Sequence, residues 1–461
     1  MQHTKKSGEA SKGQAKVIEN KWKSKAIERR KENSRLRKRL KEVTQSRDGW
    51  KSKWKNRDLP TNCLGIKSGE KASRHRYSLD VNVLVVALSR YGGMSLRSCR
   101  HCLCCMLVCL GLSGRVPSHS TLRIWLCKCG MYRIQQEQRK PCSYVVYVDE
   151  SISFGSEKIL LILGVPIETV NWNRSLTHED MHVLYVGVSQ QWKGEHIESE
   201  LSKIAQYHTI EYVVSDQGNN LRKAYKSLGY IHLEDCTHIL ANALKRIYDK
   251  DEVFKKFRKL IGQLRQAWNL SATNSQYMPP TMRGKMRFAN IFPCVNWAEK
   301  MLGAWDDLDK QVQHKLLFLQ EQKAFIETLI QIAHIFKVVC ATLKNKGFSL
   351  TEKQEILDQL ERIQPKPNTR IFIQDCKDYL EKLTQKSKQL DREQLLCSSD
   401  IIESYFGKFK NKINRNSRSG LTEFVFTIAT LGKPFDKQDV KKALESIRCK
   451  ELVLNKRQPI P

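Results

Sequence analysis

The chain has no uninterrupted apolar run of roughly 18 residues, so on sequence grounds a membrane-spanning helix is excluded. Residues 1–16 are polar and lysine-rich and lack the apolar h-region of a secretory signal. An intracellular location is therefore expected, and the 15 cysteines read as reduced thiols, metal ligands or core residues and not as a disulfide framework. Acidic residues are in deficit: 48 Asp and Glu against 80 Lys and Arg leave a net charge of +32 and a pI near 9.6. An excess of that size serves a polyanion, and nucleic acid is the commonest one. Hydrophobic residues make up 40%, slightly under the norm of about 45–50%, which still allows a real core. At about 150 residues per domain, 461 residues suggest about three domains. No internal repeat or low-complexity tract is evident.

Residues 17–55 contain no Pro and are dense in Lys, Arg and Glu. Trp22, Ala26, Arg29, Asn33, Leu36, Leu40, Val43, Arg47, Trp50 and Trp54 advance by alternating steps of four and three, a heptad seam flawed at Arg29, Asn33 and Arg47. The remaining faces carry basic residues, Lys38 and Arg39 among them. The segment reads as a solvated basic helix or as a coiled coil that also touches DNA phosphates, and it ends at Leu59-Pro60.

A cluster of short helices follows, predicted over residues 81–91, 95–112 and 122–129 and separated by glycine turns. Helix, Gly turn and a Ser/Thr-capped helix make a helix-turn-helix layout with Arg123 as a DNA-facing residue, although ordinary helical packing gives the same pattern. Cys99 and Cys102 have C-x-x-C spacing, and Cys127-x-Cys129 would complete a four-thiolate zinc site. These cysteines lie inside an apolar helical run with no turn between the first pair, so core packing is favoured over structural zinc.

After Pro141 the texture changes. Strands are predicted over residues 144–148, 158–165, 181–189, 210–214 and 230–233, with helices over 194–207 and 219–228. The order β-β-β-α-β-α-β describes a mixed sheet with helices on its faces. From Ile239 to about Lys388 the pattern is helical, and a last helix begins at Ser398-Ser399-Asp400 and runs from Ile401 to Ile413.

Two apolar strands give way to acidic residues, at Val148-Asp149 and Val214-Ser215-Asp216. Glu403 lies near the N-terminus of the last helix, which continues with Lys408, Lys410 and Lys412 and is followed by Arg415. Three converging carboxylates repel one another unless cations sit among them. Hard cations, Mg²⁺ or Mn²⁺, are the expected occupants. A pair of them about 4 Å apart activates a hydroxyl and stabilises the leaving oxygen in phosphodiester displacement.

The segments Tyr-Val-Val-Tyr-Val-Asp149-Glu, Val-Val-Ser-Asp216-Gln-Gly and Ser-Ser-Asp-Ile-Ile-Glu403-Ser-Tyr-Phe-Gly-Lys-Phe-Lys resemble the three signatures of DDE transposases of bacterial insertion sequences. Asp235-Cys236-Thr237-His238 resembles the C/D-x-x-H motif of some of these lineages, and Glu403 with Lys410 matches E-x6-K. The Tyr and Arg of the related Y-R-E-K signature are absent, Leu396 and Ser399 standing there. The separation of 187 residues between Asp216 and Glu403 is similar to that of members with a helical insertion. The resemblance spans about residues 77–418 and implies an RNase H-like catalytic fold in which Asp149, Asp216 and Glu403 hold two Mg²⁺ or Mn²⁺ ions. Lys410 would face a phosphate near the element's end. His238 would contact DNA or steady the site, with a buried structural histidine as the alternative. Asp235 competes with Glu403 as third ligand. Trp268 and Trp297 would stack on a flipped base, or be core residues.

The expected architecture is thus multidomain α/β. A basic arm (1–60) and a helix-turn-helix-like domain (74–135) precede an RNase H-like core (141–250 and 396–430), which is interrupted by a helical insertion (251–395) and followed by a tail (431–461). The expected function is a transposase acting on double-stranded DNA, without membrane partners, as a homo-oligomer assembled on DNA in a bacterial, nucleoid-associated cytoplasmic setting. A nuclease on the same fold without strand transfer, or a non-catalytic DNA-binding regulator, are the alternatives.

Overall fold

In the computed structural model, residues 69–109, 115–154, 157–269, 276–282, 288–413 and 421–454 are described, with helical positions at Arg29, Asn33, Ser34 and Thr44. The heptad seam apart from Arg29 and Asn33, together with Lys38, Arg39 and Arg415, lies outside the described residues. Two compact units divide the chain, residues 1–65 with 112–115, and residues 66–111 with 116–461. The second holds the elements described next.

Three helices come first: α1 (Leu79–Arg90), α2 (Leu96–Cys109) and α3 (His119–Glu137). Then follow β1 (Ser143–Phe154), β2 (Glu157–Pro166), β3 (His182–Ser189), α4 (Gly194–Ala205), β4 (Thr209–Ser215), α5 (Asn219–Leu228) and β5 (His232–Glu234). Strand order is 3-2-1-4-5, with β1–β2 and β2–β3 antiparallel and β1–β4 and β4–β5 parallel. This mixed α/β architecture agrees with the element order read from the sequence. The strands are near-continuous apolar runs because both faces are covered. Val145 and Tyr147 of β1 point into one core, while Tyr144, Val146 and Val148 meet Trp192, Ile197 and Leu201 at α4 on the other face.

The helical block comprises α6 (Cys236–Tyr248), α7 (Glu252–Trp268), α8 (Phe292–Gly303), α9 (Lys310–Glu321), α10 (Lys323–Lys346), α11 (Leu350–Glu361) and α12 (Pro367–Leu390). Side-chain caps start three of these helices, α6 at Asp235, α7 at Asp251 and α11 at Ser349. Asp251 accepts from the Phe254 amide at 2.7 Å, and Ser349 accepts from the Thr351 amide at 3.1 Å. The block shares one continuous core with the sheet's first face, so it is built onto the sheet. Trp268 and Trp297 belong to that core, at 1% and 8% exposure, and Trp297 Nε1 donates to the Tyr277 carbonyl at 2.9 Å. Neither is offered to a base. One helix among those described, α10, is long and apolar enough by length and composition to cross a membrane, with a mean hydropathy of 1.6. Polar residues interleave its apolar ones, so it contains no uninterrupted apolar run of that length. Ile326, Leu329, Ile332, Ile335, Val339 and Leu343 form a stripe at helical spacing that is buried in the core.

The last elements are α13 (Asp400–Lys412), a 3-10 segment (Glu423–Leu431) and α14 (Lys437–Ser446). Residues 431–461 were expected to be a tail. Instead α14 supplies Val440, Ala443 and Leu444 to a core shared with Leu79, Val85, Leu122 and Trp125 of the first helices. Its start is capped by Asp436, which accepts from the Asp439 amide at 2.6 Å.

The helix-turn-helix expectation changes here as well. α3 runs to Glu137, well past Cys129, and nine of its residues from Leu122 to Ile134 are buried. At Gly130 a Cβ would lie 1.9 Å from the Phe426 carbonyl oxygen, so the 3-10 segment sits directly on its backbone. Burial leaves the start of α3, at His119, Ser120 and Ile124, as its exposed part, so only these first turns are open to a partner. Arg123 there pairs with Glu423 at 2.6 Å. Cys99, Cys127 and Cys129 pack in the interior, where burial pushes their thiols up to about 11, 12 and 12.

Candidate active site

Asp149 was expected at the end of its strand, but β1 continues to Phe154 because its hairpin with β2 is long. Asp149 pairs with Leu161 of β2 on one side. On the other, the parallel ladder with β4 ends at Tyr147↔Val214, and β4 itself ends at Ser215. One edge of β1 is therefore uncovered at Asp149, and the chain leaving β4 passes there as Asp216. Period-two alternation puts Asp149 on the face of Val145 and Tyr147, the face on which α13 packs.

Asp216 begins a short loop in which its Oδ1 accepts from the Gly218 amide at 2.9 Å. A Cβ at Gly218 would stand 3.1 Å from that oxygen, so the loop is tight around the carboxylate. Gln217 is held from two sides, donating to Glu234 Oε1 at 2.7 Å and accepting from Asn242 at 3.0 Å. Glu403 lies in the first turn of α13 on the exposed side of that helix. Ile402, Tyr405, Phe406 and Phe409 anchor the opposite side in the core.

The electrostatics join the three. Burial, followed by the negative charges of Asp216 and Glu403, pushes the Asp149 carboxyl up to about 7. Burial likewise raises Glu403, against the pull of His238. Among the described residues no hydrogen bond engages the side chain of Asp149 or of Glu403. No three His, Cys, Asp or Glu side chains among those residues are gathered closely enough to enclose a metal ion. The carboxylates are electrostatic neighbours at a strand edge, and they do not form a closed cage.

Asp235 and His238 have a different part. Asp235 is 1% exposed and caps α6, its Oδ1 accepting from the His238 amide at 2.8 Å and meeting His238 Nδ1 at 3.0 Å. Its Oδ2 accepts from the Ser399 amide at 2.6 Å and the Ser399 hydroxyl at 3.0 Å. Burial alone would raise this carboxyl, but the hydrogen bonds from His238 and Ser399 hold it below its ordinary value. Both oxygens are thus spent on tying β5 and α6 to the start of α13, which sets the position of Glu403. As third metal ligand Asp235 is the weaker candidate on this geometry. Its hydrogen bond raises His238 to about 9, helped by the charges of Glu403 and Asp216. His238 is therefore an imidazolium among carboxylates, a cation that the fold itself places in the cluster.

The basic residues predicted to meet DNA are distributed unevenly. Lys408 is exposed, with Nζ 3.3 Å from His178 Nδ1. Lys410 is half-buried. Lys412 turns inward and donates to Ser89 of α1 at 3.2 Å, and burial lowers its ammonium to about 8. In the helical layer Arg97 and His101 of α2 are exposed, as is His119 at the start of α3, whereas Arg123 is paired with Glu423. Sequence reasoning missed His178, Arg90 and Ser399. Only Ser399, beside a predicted helix start, carried a local signal. A scan against protein-family models and a search of curated proteins both return no match for this chain.

Proposed function

We propose that this chain is a DNA strand-processing enzyme, a transposase of the DDE type built on an RNase H-like sheet. The observation that carries the reading is the electrostatic convergence of Asp149, Asp216 and Glu403 at the uncovered edge between β1 and β4. Strand order 3-2-1-4-5, with three antiparallel strands followed by two parallel ones, supports the fold assignment. An all-carboxylate donor set fits hard divalent cations, and Asp149, Asp216 and Glu403 would hold two Mg²⁺ or Mn²⁺ ions. When bound, such ions supply activation of a water or 3′-hydroxyl and stabilisation of the leaving oxygen.

The protein's own residues supply the rest. Asp235 orients His238 and the start of α13, so that Glu403 faces the two aspartates. His238 offsets part of their mutual repulsion in the metal-free protein. Lys408 and Lys410 present positive charge to the DNA backbone, and the net charge of +32 draws DNA to the chain as a whole. Assembly of several subunits on paired DNA ends, in a nucleoid-associated setting, belongs to the same proposal.

The test is cleavage of supercoiled and linear duplex DNA in Mg²⁺ or Mn²⁺ by the full chain and by Asp216→Asn and Glu403→Gln. Both variants are expected to lose cutting by at least 100-fold while binding duplex DNA with unchanged affinity in EDTA. Normal cutting by Glu403→Gln would overturn the assignment. Burial within α3 favours one second reading, a nuclease without strand transfer, because it leaves only the first turns of the helix expected to recognise element ends open to DNA. Joining of a 3′-hydroxyl end to a second duplex separates the two.

A further inference from the structure

Beyond the carboxylates, α13 lines a second feature. A cavity of about 540 Å³ opens between its later turns, the end of α1 and the loop before β3. Arg90, His178, Glu179, Lys408, Asn411 and Lys412 face it. Arg90 is 9% exposed, a guanidinium set into the wall. It donates to the Gly432 carbonyl and to the Tyr91 hydroxyl, and it pairs with Glu179 at 3.2 Å. Glu179, by contrast, is 57% exposed at its side chain and pairs with no other basic side chain among the described residues.

His178 sets the orientation of Lys408. Burial, with the charges of Lys408 and Arg90, lowers its ring to about 4, so it is neutral and its Nδ1 accepts from the Lys408 ammonium. Its Nε2 lies 3.3 Å from the Ser404 hydroxyl, its ring packs on Tyr405 at 4.6 Å, and its carbonyl accepts from the Tyr405 hydroxyl at 3.1 Å. Three cations, Arg90, Lys408 and Lys412, thus face one cavity with a single exposed carboxylate among them. The exposed Lys408 ammonium and the Arg90 guanidinium, with the inward-turned Lys412 behind them on Ser89, give this open space a positive lining that suits a phosphate group, which offers oxygens in several directions.

We propose that this cavity seats a backbone phosphate of the nucleic-acid strand engaged at the carboxylate site, with Glu179 holding Arg90 until that phosphate displaces it. Lys408 and Lys412 lie five and nine residues after Glu403 on one helix. At 1.5 Å per residue that is about 7.5 and 13.5 Å along the axis. The inference rests on the reading of the carboxylates as a DNA-processing site.

The test is fluorescence anisotropy with the full chain and one fixed duplex in EDTA over a range of salt. The proteins are wild type, Lys408→Gln, Glu179→Gln and, as a control for simple loss of negative charge, Glu252→Gln on α7. Lys408→Gln is expected to weaken binding and to lower the log–log salt slope by about 0.9, one phosphate contact. Glu179→Gln is expected to tighten binding several-fold more than Glu252→Gln does. An unchanged slope for Lys408→Gln, or equal effects of the two glutamate variants, overturns the proposal. Calorimetry with inorganic phosphate supplies a second arm. If Lys408→Gln alters phosphate binding but leaves the DNA slope untouched, the cavity serves a free anion and the strand assignment is wrong. Because no step of this test requires cleavage, the two readings fail separately. Wild type that never cuts with Mg²⁺ or Mn²⁺ while the slopes move as expected removes the active-site reading and keeps the cavity. Metal-dependent cutting with unmoved slopes does the reverse.

Discussion

Replacing Asp149 with Asn removes a charge that the fold holds at a cost, and the effect on stability has a distinctive pH dependence. The folded carboxyl is raised from 3.8 to about 7. A carboxyl whose folded value exceeds its unfolded value favours folding most at low pH, and that contribution is lost as pH rises through about 7. In the metal-free wild type the penalty therefore grows by about 1.4 kcal/mol per pH unit between about 4 and 7 and then levels off. Between pH 5 and pH 8 the increase is about 2.5 kcal/mol as an upper figure, about half of which survives once solvent screening of this partly exposed residue is counted. At about 2.1 cal/mol/K of unfolding entropy per residue, a chain this long shifts its Tm by about 1 °C per kcal/mol. The variant's amide lacks a partner and costs about 1–3 kcal/mol, but at every pH alike. The quantity to read is therefore the difference in Tm between variant and wild type at pH 8 minus that difference at pH 5, by scanning calorimetry in EDTA. It is expected to be positive, about 1–3 °C. Adding Mn²⁺ at pH 8 should raise the wild-type Tm and leave Asp149→Asn unmoved. Parallel pH profiles for the two proteins would refute the reasoning, because Asp149 would then feel neither burial nor its acidic neighbours.

Asp235→Asn leaves His238 and Ser399 without their charged acceptor and is expected to cost about 3–5 kcal/mol in denaturant melts. The His238 imidazole, followed by NMR, should titrate well below its present value of about 9, and divalent metal should not restore stability. Leu444→Ala, in the segment once read as a tail, should cost about 2–5 kcal/mol, because Leu444 is 1% exposed in the core shared with the first helices. A neutral result there would separate α14 from that core.

The sheet and its two aspartates were legible in the sequence because each apolar run gives way to acidic residues, whereas the extension of β1 past Asp149 to Phe154 was not, since it depends on the long hairpin with β2. Burial on both faces of a mixed sheet leaves that signature locally, strand by strand. The last acidic helix was legible for a similar reason: hydroxyl and acidic residues precede Ile401, and Lys408, Lys410 and Lys412 follow at helical spacing. What the sequence could not carry was who covers whom. α3 looked like a recognition helix because capping and glycine turns are local, whereas its burial depends on Phe426, some 300 residues away in the chain. The supposed tail became part of a core because Val440, Ala443 and Leu444 share a helix face, a short amphipathic pattern whose partner lies at the opposite end of the chain. The role of Asp235 was also decided in three dimensions. Asp-x-x-His fits a metal or DNA motif equally well, and only the approach of Ser399, 164 residues later, engages the carboxylate's second oxygen. Local composition determined the elements and their chemistry. Tertiary packing, by burying some charged groups and leaving others in the open, decided which of them remain available to act.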